Sequence, residues 1–294
     1  MSRQPRLHLP GGFYHVILRG NGRQPIFFDN QDRDRWQEIL QKALTRYRHR
    51  LHAYCWMTNH VHMAIQAGAE PLADFMRILA SRYARYLNRK RRRPGHLFER
   101  RYRAILVQRD EYLIELLRYI HLNPVRANMV ADPSEYQWSS HNAYLRLSGP
   151  SWLTVDTVAA MFASRRSSAL ESYSRFMAQL PSEKTIKMLR QGSPGDERLL
   201  GDDRWVHSVL TEFDAIDKHG NLDKIIDDAC QRHDVTEAML ASPSRSRRHS
   251  RIRAEIAIAA TEKRCATVTE VAKRFGRAHS GLSRAMNRLR DQNK

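Results

Sequence analysis

Cysteine is scarce in this sequence. Its 294 residues hold three, Cys55, Cys230 and Cys265, scattered and without a Cys-x-x-Cys pair. That excludes a disulfide framework and a cysteine-built zinc site. Long apolar runs are missing as well: no stretch approaches the roughly 18 residues of a membrane-spanning helix. The opening MSRQPRLHLPGG lacks the apolar core of a secretory signal, so a cytoplasmic location is expected. There is no internal repeat. Acidic residues are also few, 31 against 50 Lys and Arg, for a net charge of +19. Solubility of a small domain asks for a net charge of only about 2–8. The excess is mostly arginine, whose planar fork matches phosphate. A nucleic-acid partner follows.

What is present is unevenly spread. Residues 1–150 carry 25 basic and 12 acidic side chains, and residues 241–294 carry 14 and 4, whereas residues 151–240 carry 11 and 15. Two basic blocks separated by an acidic one suggest two surfaces that each meet a polyanion. With 41% hydrophobic residues there is ample material for a core.

Hydrophobic periodicity gives the elements. Residues 13–19 read as a strand closed by Gly20-Asn21-Gly22. From Asn30 to about Arg48, Trp36, Ile39, Leu40, Ala43, Leu44 and Tyr47 recur at helical spacing. Residues 51–56 and 60–66 read as strands joined by a tight turn at Met57-Thr58-Asn59. A helix is expected from Leu72 to about Arg89, a strand over 98–108, and a helix from Glu111 to about Leu122 with Asp110 as its N-cap. The order β-α-β-β-α-β-α predicts an α+β domain with an antiparallel or mixed sheet. Residues 151–215 read as a helical extension or linker, with the loop-like LRQGSPGDERLLGDD marking a boundary, and residues 216–294 as a domain of short helices.

Two segments carry chemistry. In CWMTNHVHMAIQ, His60 and His62 stand at i and i+2 of a strand, hence on one face, where two imidazoles can share a divalent cation. Val61, Met63 and Ile65 then face a core. A chain with fourteen histidines could also place two at the surface by chance. In RYIHLNPVRAN, Tyr119 and Asn123 stand at i and i+4 on one helix face, and Pro124 limits further helix. Leu113, Leu116, Leu117 and Ile120 already supply an apolar stripe, which frees Tyr119 for another role.

Together, FYHVILRGN, MTNHVHM, GHLFERRYRAILV, YIHLNPVRA and YQWSS resemble the single-tyrosine HUH transposases, closest to the REP-associated tyrosine transposases. The resemblance is strong to about Leu147 and weaker to about Leu210. It implies an RRM-like antiparallel sheet with helices on one side. It implies that His60, His62 and Asn123 bind Mg²⁺ or Mn²⁺. Tyr119 is then the nucleophile, leaving a 5′-phosphotyrosine and a free 3′-OH. The implied substrates are single-stranded REP-like palindromes folded into hairpins, and the implied state is a monomer. Arg19, Arg23, Arg100, Arg101 and Arg103 are candidate phosphate contacts. So is the run Arg89 to Arg93, including Arg91 and Arg92, since five adjacent cations repel unless an anion relieves them.

The C-terminal block VTEVAKRFGRAHSGLSRAMNRL reads as a helix-turn-helix. Thr267 and Glu270 form a capping box, Val271, Ala272 and Phe275 face inward, Gly276 allows the turn, and Ser280 to Leu289 form the recognition helix. FGRAHSG resembles the FGRDHST of the duplex-binding domain of the replication initiator DnaA. Ala278 and Gly281 depart from that pattern where bases are read, so a different duplex target is expected. Arg247, Arg248, Arg277, His279, Ser280 and Arg284 are its candidate DNA contacts. An ordinary helical bundle with a basic surface is the plainer reading of this block.

Three functions fit at this level: a metal-dependent transposase working on nucleoid DNA, a catalytically inactive DNA-binding regulator on the same fold, and an RNA-binding protein. The last lacks the aromatic RNP1 pattern.

Overall fold

The computed structural model describes residues 7–109, 111–219, 222–243, 246–263 and 265–292. Asp110, expected to cap a helix, lies outside the described residues. The chain divides into two compact units, Met1–Val206 and His207–Lys294.

The first unit is built on β1 (Phe13–Arg19), β2 (Arg50–Trp56), β3 (His60–Gln66), β4 (Arg103–Val107) and β5 (Leu199–Leu200), side by side as β2-β3-β1-β4-β5. Strands β1 to β4 pair antiparallel, and β5 runs parallel to β4. Between them come α1 (Asn30–Tyr47), α2 (Leu72–Arg91) and α3 (Glu111–His121), in the order the hydrophobic pattern predicts. After α3 follow α4 (Asn123–Arg126), α5 (His141–Arg146), α6 (Asp156–Ala159), α7 (Arg166–Met177) and α8 (Glu183–Gln191), and then α9 (Asp203–His219), which runs across the boundary at Val206 into the second unit. The fold is α+β.

Three expectations need correction. The strand expected from residue 98 begins at Arg103; before it, Phe98 only bridges Gly20. The segment taken for a loop-like boundary holds β5, because Leu199 and Leu200 are apolar enough to be fully buried at the sheet edge. Helices cover both faces of the sheet, not one. On the face of Val16, Leu18, Val61 and Met63 lie α1 and α2, where Trp36 meets Trp56 and Tyr83 edge-on at 5.8 and 5.1 Å. On the other face α3 packs against β2 and β3 and buries Leu113, Leu116, Leu117 and Ile120. An apolar stripe of that size is stable only under cover.

Local signals set the helix ends. Asp29 caps α1 by accepting from the Asp32 amide at 2.9 Å, and Arg48 ends it in a left-handed conformation. Pro124 stops α3, and the Asn123 amide nitrogen donates to the Tyr119 carbonyl at 2.7 Å across the break. Gly20 is required where β1 meets the next turn, since a Cβ there would collide with the Gln24 carbonyl.

The second unit holds α10 (Leu222–His233), α11 (Glu237–Ala241), α12 (Arg247–Glu262), α13 (Val268–Arg274) and α14 (His279–Gln292). Ile226, Ile252, Ile256, Val271, Phe275 and Leu282 form its core. Thr267 and Glu270 make both bonds of the capping box at the start of α13, and Gly276 turns the chain at φ 61°. Among the described residues no helix is long and apolar enough to cross a membrane.

Candidate active site

Strand alternation sets the site. In the β1–β3 register His60 faces Arg19 and His62 faces Ile17, so these four side chains and His15 share one face of the sheet. Arg103 of β4 joins them opposite Ile17. Helix α3 lays the Tyr119 ring across this face, 5.5 Å from both His15 and His62. The His60 and His62 rings are 4.9 Å apart. A pocket of about 600 Å³ opens here, lined by His60, His62, Tyr119 and Asn123 together with seven arginines: Arg19, Arg23, Arg100, Arg101, Arg103, Arg126 and Arg190. Among the described residues, Tyr119 is the one tyrosine in that lining.

Electrostatics follow from burial and from this arginine excess. Burial pushes the His60 imidazole down to about 4, with Arg19 and Arg190 adding to it. It holds His62 well below the usual histidine range, with His60 and His15 adding to it. Burial also lowers His15 to about 4 against the opposing pull of the Leu189 carbonyl. The imidazoles are therefore neutral at pH 7, the form that ligates a metal. Arg190 donates through Nε to the Tyr119 phenol oxygen at 3.4 Å, and Arg126 lies 5.2 Å from the centre of its ring. Among the described residues, Glu99 is the only carboxylate lining the pocket, 3.6 Å from Arg100. Among the described residues no three His, Cys, Asp or Glu side chains gather as a metal cluster.

The structure brings together His60, His62, Tyr119, Asn123, Arg19, Arg23, Arg101 and Arg103. Arg103 also ties the pocket wall by donating to the Gln191 carbonyl at 2.7 Å. Arg91 and Arg92 do not line it. The charge run that includes them is relieved from within the chain: Lys90 pairs with Asp32 at 2.7 Å and Arg91 with Asp29 at 2.9 Å. The premise that the run needs an external polyanion fails for those two residues. Sequence reasoning missed His15, Asn59, Arg126 and Arg190. His15 could have been found by counting back in twos from Arg19 along β1.

Residues 11–123 match the family described as "Transposase IS200 like". These residues are an IS200-like transposase domain. The match ends at Asn123 and so takes in all four central residues of the pocket. No curated protein matches the chain. Among solved structures, the transposase domain is similar to a REP-associated tyrosine transposase bound to a REP hairpin, at 15% identity and TM-score 0.44, covering 52% of this chain and 92% of that one. It is also similar to a candidate transposase from Deinococcus radiodurans R1, at 20% identity and TM-score 0.30, covering 44% and 92%. Both likenesses are weak, and the assignment rests on the family match.

In the second unit, Arg247, Arg248, His279, Ser280 and Arg284 are exposed and Arg277 is half-buried. The Arg277 guanidinium donates to the Ser242 carbonyl and Arg248 to that of His233. Arg274, by contrast, is held by Glu237 and Asp223.

Proposed function

We propose that this chain is a tyrosine transposase that nicks and rejoins single-stranded DNA hairpins formed by REP-like palindromes. The observation that carries this reading is the Tyr119 phenol beside two neutral histidines in a pocket lined by seven arginines. A pocket so charged suits a polyanion, and the phenol is the nucleophile in it. The Tyr119 oxygen attacks the scissile phosphorus and gives up its proton, the bond from phosphorus to the 3′-oxygen breaks, and that oxygen takes up a proton. The 5′-phosphate stays on Tyr119 as an ester. Attack by another 3′-OH reverses the step and returns the proton, so bond energy is conserved and no ATP is needed. Arg190 and Arg126 put positive charge where negative charge develops during attack.

The donor set fits a divalent cation. His60 and His62 offer neutral imidazoles, and Asn123, with its amide nitrogen held by the Tyr119 carbonyl, offers its oxygen. These three residues would hold Mg²⁺ or Mn²⁺, which when bound polarises the phosphate and neutralises its charge. With so little carboxylate in the pocket, the DNA phosphate itself supplies the missing negative charge, so DNA and cation favour each other's binding. Tyr119 lies against His62 of its own chain, which supports a site built by a monomer.

The second unit is proposed to bind duplex DNA as a helix-turn-helix. Helix α14 is its recognition helix, and Arg247, Arg248, Arg277, His279, Ser280 and Arg284 are its contacts. Both substrates belong to the nucleoid.

Nicking of a labelled hairpin, with and without Mn²⁺, tests the catalytic half. Parent protein cleaves only with the cation, and Tyr119→Phe binds the hairpin without cleaving it. Full cleavage by Tyr119→Phe overturns the assignment.

A further inference from the structure

Both proposed metal-ligating histidines are held through the same ring nitrogen, and each holding group is itself held by a backbone carbonyl. His62 Nδ1 lies 2.9 Å from His15 Nε2, and His15 Nδ1 lies 3.0 Å from the Leu189 carbonyl oxygen. A carbonyl can only accept, so His15 Nδ1 carries the hydrogen and donates it to Leu189. A neutral ring has one such hydrogen, which leaves His15 Nε2 as an acceptor. His62 Nδ1 must therefore be the donor, and its lone pair is on Nε2.

The second chain of bonds has the same logic. Asn59 donates its amide nitrogen to the Arg23 carbonyl at 3.0 Å, which fixes which end of the amide is which. Its oxygen then meets His60 Nδ1 at 2.6 Å. Again Nδ1 donates and Nε2 keeps the lone pair. The two anchors come from separate parts of the chain: Leu189 closes on β1 from α8, 174 residues away, and Arg23 lies in the turn after β1.

We propose that His15 and Asn59 are positioning residues that fix His62 and His60 in the tautomer whose Nε2 is free to ligate a metal. Partners of this kind orient metal-ligating histidines and set which nitrogen is protonated. The proposal rests on the metal reading for its use, but the tautomers can be read without metal. Metal-free protein labelled with ¹⁵N on histidine gives separate NMR signatures for the two tautomers. The expected parent spectrum has protonated Nδ1 and bare Nε2 at both His60 and His62. His15→Phe removes the acceptor, so His62 becomes a mixture of tautomers, while His15→Gln supplies an amide oxygen and restores the parent pattern. Asn59→Leu does the same to His60. Mn²⁺ binding in the presence of uncleaved Tyr119→Phe–hairpin complex falls about 10–100-fold when His15→Phe is added.

A parent spectrum with Nε2 protonated at His62 overturns the proposal outright, whatever the variants do. So does a His62 tautomer unchanged in His15→Phe. Failure of the parent site to take Mn²⁺ even with DNA overturns the metal reading instead, and the metal-free spectra tell the two failures apart.

Discussion

The first unit contains two buried histidine clusters, and they differ in what they leave undone. At the sheet, His15, His60 and His62 pack against Tyr119. Behind α3, His121 meets Tyr173 at 2.8 Å through Nδ1 and Ser140 at 2.6 Å through Nε2, and His141 meets the same Tyr173 hydroxyl at 2.6 Å. Burial drives the imidazoles of both clusters down: His121 lies well below its usual range and His141 at about 4, much as His62 and His60 do. Burial and low basicity therefore do not mark a functional site. The difference lies in the walls, and in the second nitrogen of His121 set against those of His60 and His62. In the sealed cluster both nitrogens of His121 have partners. In the open one each of His60 and His62 is held by a single nitrogen, beside a pocket of arginines. The sealed cluster fastens α3 to α5 and α7; the open one faces a pocket.

Substitution separates the two most sharply. His62→Ala should lower hairpin nicking by about 10²–10³-fold, the share of a barrier that a metal and its ligands contribute, with a modest change in melting temperature. His121→Ala should do the reverse. It leaves Ser140 and Tyr173 short of a partner and opens a void, costing about 2–4 kcal/mol of stability, while the folded fraction nicks normally. Calorimetry and a nicking assay on both variants check this; equal loss of activity in both would erase the distinction.

A smaller effect comes from acid. His121, His141 and His49 have folded-state values below the ordinary histidine value of 6.5, with His141 and His49 at about 4. Between those limits the unfolded chain binds more protons than the folded one, so stability falls as the pH drops from about 6.5 towards 4. These groups add no pH dependence above about 7. Thermal melts of parent and His141→Phe over pH 4–8 measure it, and the variant should lose part of the acid slope. An unchanged slope would mean His141 is already charged in the fold.

The units can be compared in the same way. Every residue of the proposed catalytic pocket lies within Met1–Val206, so truncation after Val206 should leave nicking of a pre-folded hairpin within a few-fold of the parent. Duplex binding should be lost with the second unit. In the full chain that binding should weaken about 10³-fold between 50 and 200 mM salt if six or more phosphates are contacted. Loss of hairpin nicking by a folded first unit would show that the second unit helps form the site.

How much of this was legible follows from the range of each signal. Alternation along β3 and helical spacing from α3 into α4 are local, and they bring His60, His62, Tyr119 and Asn123 to one pocket. The capping box at Thr267 and the turn at Gly276 are equally local. Arg190 reaches Tyr119 from 71 residues away, on α8, and no spacing rule connects them. The ion pairs of the basic run at the end of α2 were out of reach for the same reason, since Asp29 and Asp32 sit about 60 residues earlier. Asn59 was in plain view beside His60, but its part depends on the Arg23 carbonyl, which only the folded turn brings near.

The central claim is that Tyr119 becomes covalently joined to DNA. Protein incubated with Mn²⁺ and a hairpin cut at its flank, then denatured and digested, should give one peptide carrying a nucleotide through a phosphotyrosine, and fragmentation should place it on Tyr119. An adduct on Tyr102 or Tyr112, or cleavage with no adduct at all, would contradict the account.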